Sequence, residues 1–487
     1  MTKLRRNTAL LAAAAGVLTL TAPLTATAQP APLDWSTCEE SGLDPRQECT
    51  TLDVPMDYTD PDGRKIGVAF SRIPAEDPAK RRGILLLVPG GPGGSSLDQP
   101  SGEGQDLPQD VRDAYDLIGF DPRGVGRSAP VDCGLDRDDL ALTKLRPWPA
   151  PDGSITGNLA TAQRMTDACA RNGGDLMQHL STANEARDLD RFRAALGERR
   201  VSAWSVSYGA YVGAVYSELF PHRTDRIVLD SSGDPDPTRV GRAWLAGFEK
   251  GVEDTFPAFA AWASRPGNPH RLARTAAEVR PLVLGLAARL DREPIPWPGA
   301  NPEELNGNVL RQTVLDSFYD PDGFDVLARL VLAAREGTVP APPPGQDMRN
   351  TVAASVGTMC NDVSWPAPSA RYEKEVAVSR AEHPLTAGMP RNVMPCAVWP
   401  WQPKEPPVRI TDDGPATVLL VQNERDVVTP LSGALKMRAA LGRRAVMVTV
   451  DSTGHGAYLD NGNACGDRTV SRFLATGERP RRDVRCG

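Results

Sequence analysis

Short apolar segments that alternate with helical segments most constrain the fold of this chain. The segment Ile84–Val88 has no polar position, which is typical of a strand buried on both faces of a parallel sheet. Further predicted strands cover 201–204 and 226–230, and a helix is predicted between them. This alternation predicts an α/β fold with a mostly parallel sheet and helices on both faces.

The segment 182–197 predicts a helix that precedes the strand at 201–204. Thr182 and Glu185 have the three-residue spacing of a capping box, and apolar residues recur at helical spacing behind them. Gly197 ends the pattern. We therefore expect Thr182 to cap this helix.

The alternation stops near residue 235 and resumes near residue 416. The intervening segment contains helical patterns broken by proline-rich stretches and six of the nine tryptophans. We interpret 29–235 as the first part of a core, 236–415 as an inserted, mainly helical cap, and 416–487 as the C-terminal part of the core.

The first 28 residues have the pattern of a signal peptide. Lys3, Arg5 and Arg6 precede a short apolar run, and small residues follow at 26–28. We expect cleavage there, a secreted extracellular protein, and no membrane attachment afterwards.

The eight cysteines fit an oxidising compartment. Neighbour pairing is the simplest arrangement, although other pairings stay open. It would join 38 to 49, 133 to 169, 360 to 396 and 465 to 486. No C-x-x-C occurs, so we predict neither a metal nor a cofactor. The net charge of −7 argues against a nucleic-acid partner, and the sequence does not indicate an oligomeric state.

The string SVSYGA, residues 205–210, resembles the turn that carries a hydrolase nucleophile. Ser207 lies between a predicted strand and a predicted helix, and Gly209 supplies the small residue that this tight turn needs. The motif normally has glycine at the position of Ser205. Ser207 is the predicted nucleophile.

A serine nucleophile needs a general base, and the chain has five histidines. On a strand–turn–helix scaffold the order is serine, acid, histidine, which favours His455 in a glycine-flanked loop after a predicted strand. Asp426, at the end of the preceding strand, is the predicted acid that orients the imidazole. Glu424 and Asp451 are alternatives.

An oxyanion hole needs backbone N–H donors. Tyr208, which follows the nucleophile, is one predicted donor. The glycine-rich loop after Ile84–Val88 is the expected source of the second, because glycine lets the backbone approach a substrate closely. We predict Gly91, with Gly90 as the alternative.

Five motifs occur in the order found in a known family. They are PGGPGGSS, FDPRGVGRS, the segment 205–230, ERDVVTP and STGHG. This order resembles secreted actinobacterial tripeptidyl aminopeptidases and proline iminopeptidases, which are α/β-hydrolases. The resemblance covers roughly residues 35 to 487 and implies Ser207, Asp426 and His455 as a catalytic triad. Pro89 stands where iminopeptidases carry histidine, which favours the tripeptidyl branch.

The resemblance implies a serine exopeptidase that acts on peptide or protein N-termini and releases short peptides. Such enzymes bind the free amine through acidic side chains of the cap, and the motif MCNDVSW makes Asp362 the leading candidate. Glu249, Glu253 and Asp254 are further cap acids. An esterase or lipase on the same fold is an alternative, and a catalytically inactive binding protein is another.

Overall fold

A ten-stranded sheet organises the residues that this computed structural model describes, namely 33–238, 240–320, 322–342 and 345–487. The predicted signal peptide, 1–28, lies outside the described residues. The strands are β1 Ser36–Thr37, β2 Glu48–Pro55, β3 Lys65–Ile73, β4 Gly83–Val88, β5 Tyr115–Phe120, β6 Val201–Val206, β7 Thr224–Asp230, β8 Ile295–Pro296, β9 Glu304–Leu305, β10 Val418–Arg425, β11 Ala445–Thr453 and β12 Val484–Cys486.

The strand order is β1-β2-β3-β5-β4-β6-β7-β10-β11-β12, and β8 and β9 form a separate two-stranded ladder. The strands from β5 through β4 to β12 pair in parallel, whereas β1, β2, β3 and β5 pair antiparallel. The prediction of a mostly parallel sheet is confirmed.

Fourteen α-helices accompany these strands in the described residues. They are α1 Glu103–Asp106, α2 Gln109–Ala114, α3 Leu142–Leu145, α4 Thr156–Asn172, α5 Thr182–Ala195, α6 Tyr208–Leu219, α7 Arg242–Ala263, α8 Ala276–Leu290, α9 Gly307–Asp316, α10 Gly323–Arg335, α11 Arg349–Asp362, α12 Ala370–Glu382, α13 Leu431–Leu441 and α14 Ala464–Thr476.

Strand β4 shows why its sequence lacks polar positions. Its even-numbered side chains pack in one core with α5, α6 and α13, and Leu85 and Leu87 pack in another with α2 and α14. Because successive side chains point to opposite faces, a strand covered on both sides must be apolar throughout.

The segment between β7 and β10 packs in two places. Helices α7 to α10 form a separate hydrophobic core around residues such as Phe259, Leu286 and Leu327. Helix α11 instead packs into the main core through Val352, Ala353 and Val356. We keep the name cap for 236–415. The division into domains stays a prediction. Helix α11 belongs to the cap by its position in the chain, but it packs against the core of the sheet.

Four disulfides join Cys38–Cys49, Cys133–Cys169, Cys360–Cys396 and Cys465–Cys486, so neighbour pairing is confirmed. Two of them lie at opposite edges of the sheet, next to β1 and at β12. Within the described ranges, no helix combines the length and the apolar character that crossing a membrane requires.

Candidate active site

Ser207 occupies a sharp turn between β6 and α6. Its backbone has φ 61° and ψ −123°, in a region that residues other than glycine rarely adopt. Its N–H donates to the carbonyl oxygen of Asp230 at 2.9 Å. This strained strand–turn–helix geometry is that of a nucleophile elbow, as the motif predicts.

The elbow needs small neighbours because main chain surrounds it. A Cβ at Gly209 would lie 2.4 Å from the carbonyl oxygen of Val88, so only glycine fits there. Ser205 is fully buried, and a Cβ at Gly213 would lie 2.8 Å from its Oγ. Gly213 therefore makes room for the serine that replaces the usual glycine. Within the part of the chain that the structure describes, the Ser205 hydroxyl has no hydrogen-bond partner.

Asp426 and His455 lie together at the ends of β10 and β11. Nδ1 of His455 is 3.1 and 3.0 Å from the two carboxylate oxygens of Asp426, whose side chain is fully buried. The carboxylate also accepts the N–H of Val428, the N–H of Thr429 and the Thr429 hydroxyl, at 2.8, 2.9 and 2.9 Å. These donors fix the carboxylate against the imidazole.

The two alternative acids lie elsewhere. Glu424 pairs with Arg485, and Asp451 pairs with Arg425 and Arg485, at the surface. Of the three predicted candidates, Asp426 is the one that the structure brings to His455.

The electrostatics of His455 favour its charged form. Burial lowers the pKa of the imidazole, but the charge and hydrogen bond of Asp426 outweigh this effect and raise its pKa above the usual value. Among the described residues, His455 bonds to Asp426 and forms no hydrogen bond with Ser207. Hydrogen bonds of this kind are often long before substrate binds.

The histidine loop is tied to the elbow through neighbouring backbone. The N–H of Gly456 donates to the Ser231 hydroxyl at 3.0 Å, and the N–H groups of Ala457 and Tyr458 donate to Asp230, both at 2.9 Å. Asp230 also holds Ser207, as described above, so one strand end positions both groups. Burial raises the pKa of Asp230 to about 6, although these N–H donors oppose the rise.

A second clamp on this loop comes from β10. The side-chain amide of Asn423 donates to the carbonyl oxygens of Gly454 and Gly456, at 3.0 and 2.7 Å. Both glycines have φ of 100°, a conformation that other residues avoid, which explains why glycines flank His455.

The predicted oxyanion loop passes directly over Ser207. A Cβ at Gly90 would lie 3.2 Å from Cβ of Ser207 and 3.6 Å from its Oγ. Gly91 has φ 124°, which requires glycine. Tyr208 is the first residue of α6, so its N–H has no acceptor within the helix. Tyr208 with Gly91, or with Gly90, remains the predicted donor pair.

The side chain of Tyr208 leads to a buried carboxyl cluster. Its hydroxyl lies 2.9 Å from both Glu185 Oε2 and Thr182 Oγ1. Asp362 accepts the N–H and hydroxyl of Thr182, at 2.8 and 2.6 Å. Glu185 is buried, and no described residue forms a hydrogen bond with its Oε1.

The predicted capping box at Thr182 is wrong. The cap of α5 is Ser181, whose hydroxyl accepts the N–H of Asn184. The helix begins one residue earlier than a Thr182 cap requires, because Ser181 offers an equivalent hydroxyl. Thr182 and Glu185 are thereby free to contact Asp362 and Tyr208.

The two carboxyl groups of this cluster have raised pKa values. Burial raises the pKa of Glu185 to about 8 and the pKa of Asp362 to about 6. The other predicted cap acids are ion-paired: Glu249 with Arg391, Glu253 with Arg280, and Asp254 with Lys250. In the described part of the chain, Asp362 has no Lys, Arg or His partner, and its hydrogen bonds go to Thr182.

Sequence reasoning missed several residues that shape the site, including Asn423, Thr429, Asp230, Ser231, Glu185 and Tyr319. Thr429 belongs to the ERDVVTP motif and Asp230 ends the predicted strand RIVLD, so both had a local signal. Tyr319 lies in the cap, and its carbonyl oxygen accepts the N–H of His455 at 2.8 Å. Only the tertiary fold makes that contact visible.

The parallel sheet, the strained serine and the Asp–His pair define an α/β-hydrolase. Comparison with known families agrees. Residues 83–315 match the family described as "alpha/beta hydrolase fold", and residues 383–486 match the family described as "TAP-like protein".

The curated relatives identify the family more closely. A tripeptidyl aminopeptidase of Streptomyces lividans is 31% identical over 466 residues, which cover 93% of this chain and 86% of the relative. The serine protease Hip1 of Mycobacterium tuberculosis is 28% identical, covering 93% and 91%. A protein named carboxylesterase B from the same species is 29% identical, covering 93% and 89%. This chain belongs to the tripeptidyl aminopeptidase family and is a serine hydrolase.

Proposed function

We propose that this protein is a secreted aminopeptidase that releases tripeptides from free N-termini through a serine acyl-enzyme. The observation that carries the proposal is the contrast among the acids. Asp362 lies at the carboxyl cluster beside Tyr208 and has no cationic partner in the described ranges, whereas Glu249, Glu253 and Asp254 are neutralised by basic residues.

In this mechanism Ser207 Oγ attacks the carbonyl carbon of the scissile peptide bond, and His455 takes the hydroxyl proton. Asp426 keeps Nδ1 of His455 protonated and stabilises the imidazolium that forms. His455 then donates the proton to the leaving amine as the C–N bond breaks. Water, deprotonated by His455, cleaves the resulting ester and frees Ser207 and the released peptide.

The negative charge of the tetrahedral intermediate needs donors that are already in place. Tyr208 is the first residue of α6, so its N–H is available as a donor, and the loop of Gly90 and Gly91 lies over Ser207. We assign the oxyanion hole to Tyr208 and Gly91, with Gly90 as the alternative. The strain at Ser207 is consistent with a residue held for this purpose.

Asp362 is suited to bind the free amine of the substrate. Each of its oxygens accepts one hydrogen bond, which leaves further acceptor capacity for an ammonium group. The residue as a whole is half-buried, and the elevated pKa of its carboxyl group reflects burial without a compensating charge. A substrate ammonium would supply that charge. Substrates with blocked N-termini lack it and would bind poorly.

Secretion is part of the proposal. The signal pattern of residues 1–28 and four disulfides support an extracellular protein. N-terminal sequencing of the protein from culture medium should begin at Gln29. A chain that is retained in the cytoplasm with its first 28 residues would contradict this part.

The test uses p-nitroanilides of a free tripeptide, its N-acetylated form and a single amino acid, with a p-nitrophenyl ester as the activity control. We expect rapid turnover of the free tripeptide alone among the anilides, and its loss in Ser207→Ala. Preference for the single residue would contradict tripeptide release, and wild-type activity in Ser207→Ala would contradict the nucleophile.

An esterase is the second candidate, favoured by the relative named carboxylesterase B. The same serine, histidine and acid serve ester and amide hydrolysis. Turnover of the ester with none of the three anilides would establish the esterase in place of the aminopeptidase.

A further inference from the structure

Tyr319 of the cap contacts His455 in two ways. Its carbonyl oxygen accepts the backbone N–H of His455 at 2.8 Å. Its ring also packs against the imidazole, with centroids 5.6 Å apart and planes inclined by 79°. The loop between α9 and α10 therefore touches both the main chain and the side chain of the predicted base.

Arg146 holds this tyrosine in place. One guanidinium nitrogen donates to the Tyr319 hydroxyl at 2.6 Å, and another donates to Asp316 at 2.7 Å. The guanidinium carbon lies 5.5 Å from the Tyr319 ring centroid and 5.2 Å from that of Phe248.

Asp316 and its neighbour Gln312 are themselves anchored. Gln312 donates to Asp316 at 2.8 Å and accepts the indole N–H of the buried Trp148 at 2.7 Å. The chain of contacts from Trp148 to His455 is thus continuous. It joins the end of α9 to the catalytic loop.

The imidazole needs such a contact for a geometric reason. Asp426 contacts the imidazole at Nδ1 only, and contacts at one ring atom leave the ring free to tilt about that atom. The Tyr319 ring restricts the tilt from a different direction. Since Nε2 must point at Ser207 within hydrogen-bond reach, small rotations of the ring reduce its efficiency as a base.

We propose that Tyr319 and Arg146 are positioning residues for His455, so that the serine is fully activated only when this part of the cap is seated on the core. This inference rests on the proposed function, because it assumes that His455 activates Ser207. It adds a dependence of the chemical step on two residues outside the triad and outside the amine site.

The charged and titratable groups that act on His455 come from several elements. Asp426, Asp230 and Asp460 all favour its protonated form. Arg146 touches Tyr319 rather than the imidazole. Loss of Arg146 should therefore lower the rate of the chemical step. It should have a smaller effect on the pH at which that rate falls to half on the acid side of the pH–rate profile.

The test measures covalent labelling of Ser207 by a fluorophosphonate, because this reaction needs the base but no peptide recognition. Tyr319→Phe, which removes one hydroxyl, and Arg146→Met should each slow labelling about 5- to 10-fold. Tyr319→Leu should slow it further. The same variants should lower kcat for the p-nitrophenyl ester with little change in KM.

The matched control is Arg280→Met. Arg280 also makes a bidentate ion pair in the cap, with Glu253, and stacks 5.8 Å from the centroid of Phe256. It makes no contact with Tyr319 among the described residues. Its labelling rate should stay within about two-fold of the wild type.

A double variant separates positioning from general loss of stability. If Tyr319→Phe and Arg146→Met act through one hydrogen bond, combining them should add little to either alone. Additive effects would overturn the proposal, as would a wild-type labelling rate in folded Tyr319→Leu. A wild-type protein that the fluorophosphonate does not label would instead overturn the proposed function. If Arg146→Met does not fold, Tyr319→Phe carries the test.

Discussion

The carboxyl group beside His455 and the carboxyl cluster beside Tyr208 differ in how the protein compensates their burial. Asp426 is fully buried, faces an imidazole and accepts four further hydrogen bonds, from Gln422, from Val428 and twice from Thr429. Glu185 and Asp362 face hydroxyl groups and backbone N–H, and one buried oxygen of Glu185 has no partner among the described residues.

The contrast indicates which buried carboxyl groups the protein neutralises with its own residues. A buried carboxylate is costly unless charge and hydrogen bonds compensate it. His455 supplies that compensation to Asp426. The pKa values of Asp362 and Glu185 rise instead, to about 6 and about 8, because the effect of burial exceeds that of their hydrogen bonds. An external cation would therefore stabilise this cluster, as the proposed substrate ammonium would.

The largest expected effect comes from removing the charge of Asp426, the carboxyl group that the protein compensates by itself. Asp426→Asn should lower kcat about 10⁴-fold for every substrate, because His455 loses its orienting charge. Steady-state kinetics on the ester and on the free tripeptide anilide would check this. Asp451→Asn, an alternative acid that is paired with arginines at the surface, is the control and should keep near wild-type activity.

Removing the unpaired charge should affect only substrates with a free amine. Asp362→Asn is expected to lower kcat/KM for the free tripeptide anilide about 10- to 100-fold, since a charge-assisted hydrogen bond is lost. Ester hydrolysis should remain. Asp254→Asn, which changes an ion-paired cap acid, should leave both activities intact. Equal losses on ester and anilide would argue against an amine site at Asp362.

The raised pKa of Glu185 predicts that the stability of the folded protein depends on pH. Between about pH 4.5 and 8, the folded protein keeps a proton on Glu185 that the unfolded chain has released. Stability should therefore fall as pH rises through this interval, by at most about 5 kcal/mol.

Glu185→Gln removes this proton uptake. Urea unfolding should show the variant gaining stability relative to wild type from pH 5 to pH 8.5, whereas the exposed control Glu373→Gln should not. Parallel pH curves for wild type and Glu185→Gln would show that Glu185 is ionised in the folded state. The neighbouring Asp188, Asp362 and Arg123 act on the same group.

The smallest effect concerns the elbow itself. Ser205→Ala deletes a buried hydroxyl without a partner, so the free energy of unfolding should rise by about 1 kcal/mol. Ser202→Ala, on the same strand, deletes a hydroxyl that donates to Tyr115 at 3.3 Å and should be destabilising. A loss of stability in Ser205→Ala would show that its hydroxyl is satisfied.

Much of the fold follows from local patterns in the sequence. The apolar run of β4 and the strands on both sides of Ser207 depend on alternation and burial, which local sequence records well. His455 and Asp426 follow from chain order on this scaffold. The structure brings them together because β10 and β11 are adjacent parallel strands whose carboxyl ends meet.

The rest depends on contacts between distant segments. The sequence pattern predicts Thr182 as the cap of α5, whereas in the structure Ser181 caps the helix and Thr182 bonds to Asp362, a residue distant in the chain. Tyr319 has no motif, because its contact with His455 joins two loops far apart in the chain. The unpaired state of Asp362 is likewise a property of what surrounds it.

The short strands at the two ends of the sheet have a consequence for behaviour in solution. The outermost strands β1 and β12 contain two and three residues, and disulfides tie them to β2 and to α14. Exposed strand edges recruit other chains, and short, tethered edges limit this. Reducing conditions would release both ends and uncover the longer strands β2 and β11. Colloidal stability should therefore depend on redox state even where Ser207, Asp426 and His455 keep their places.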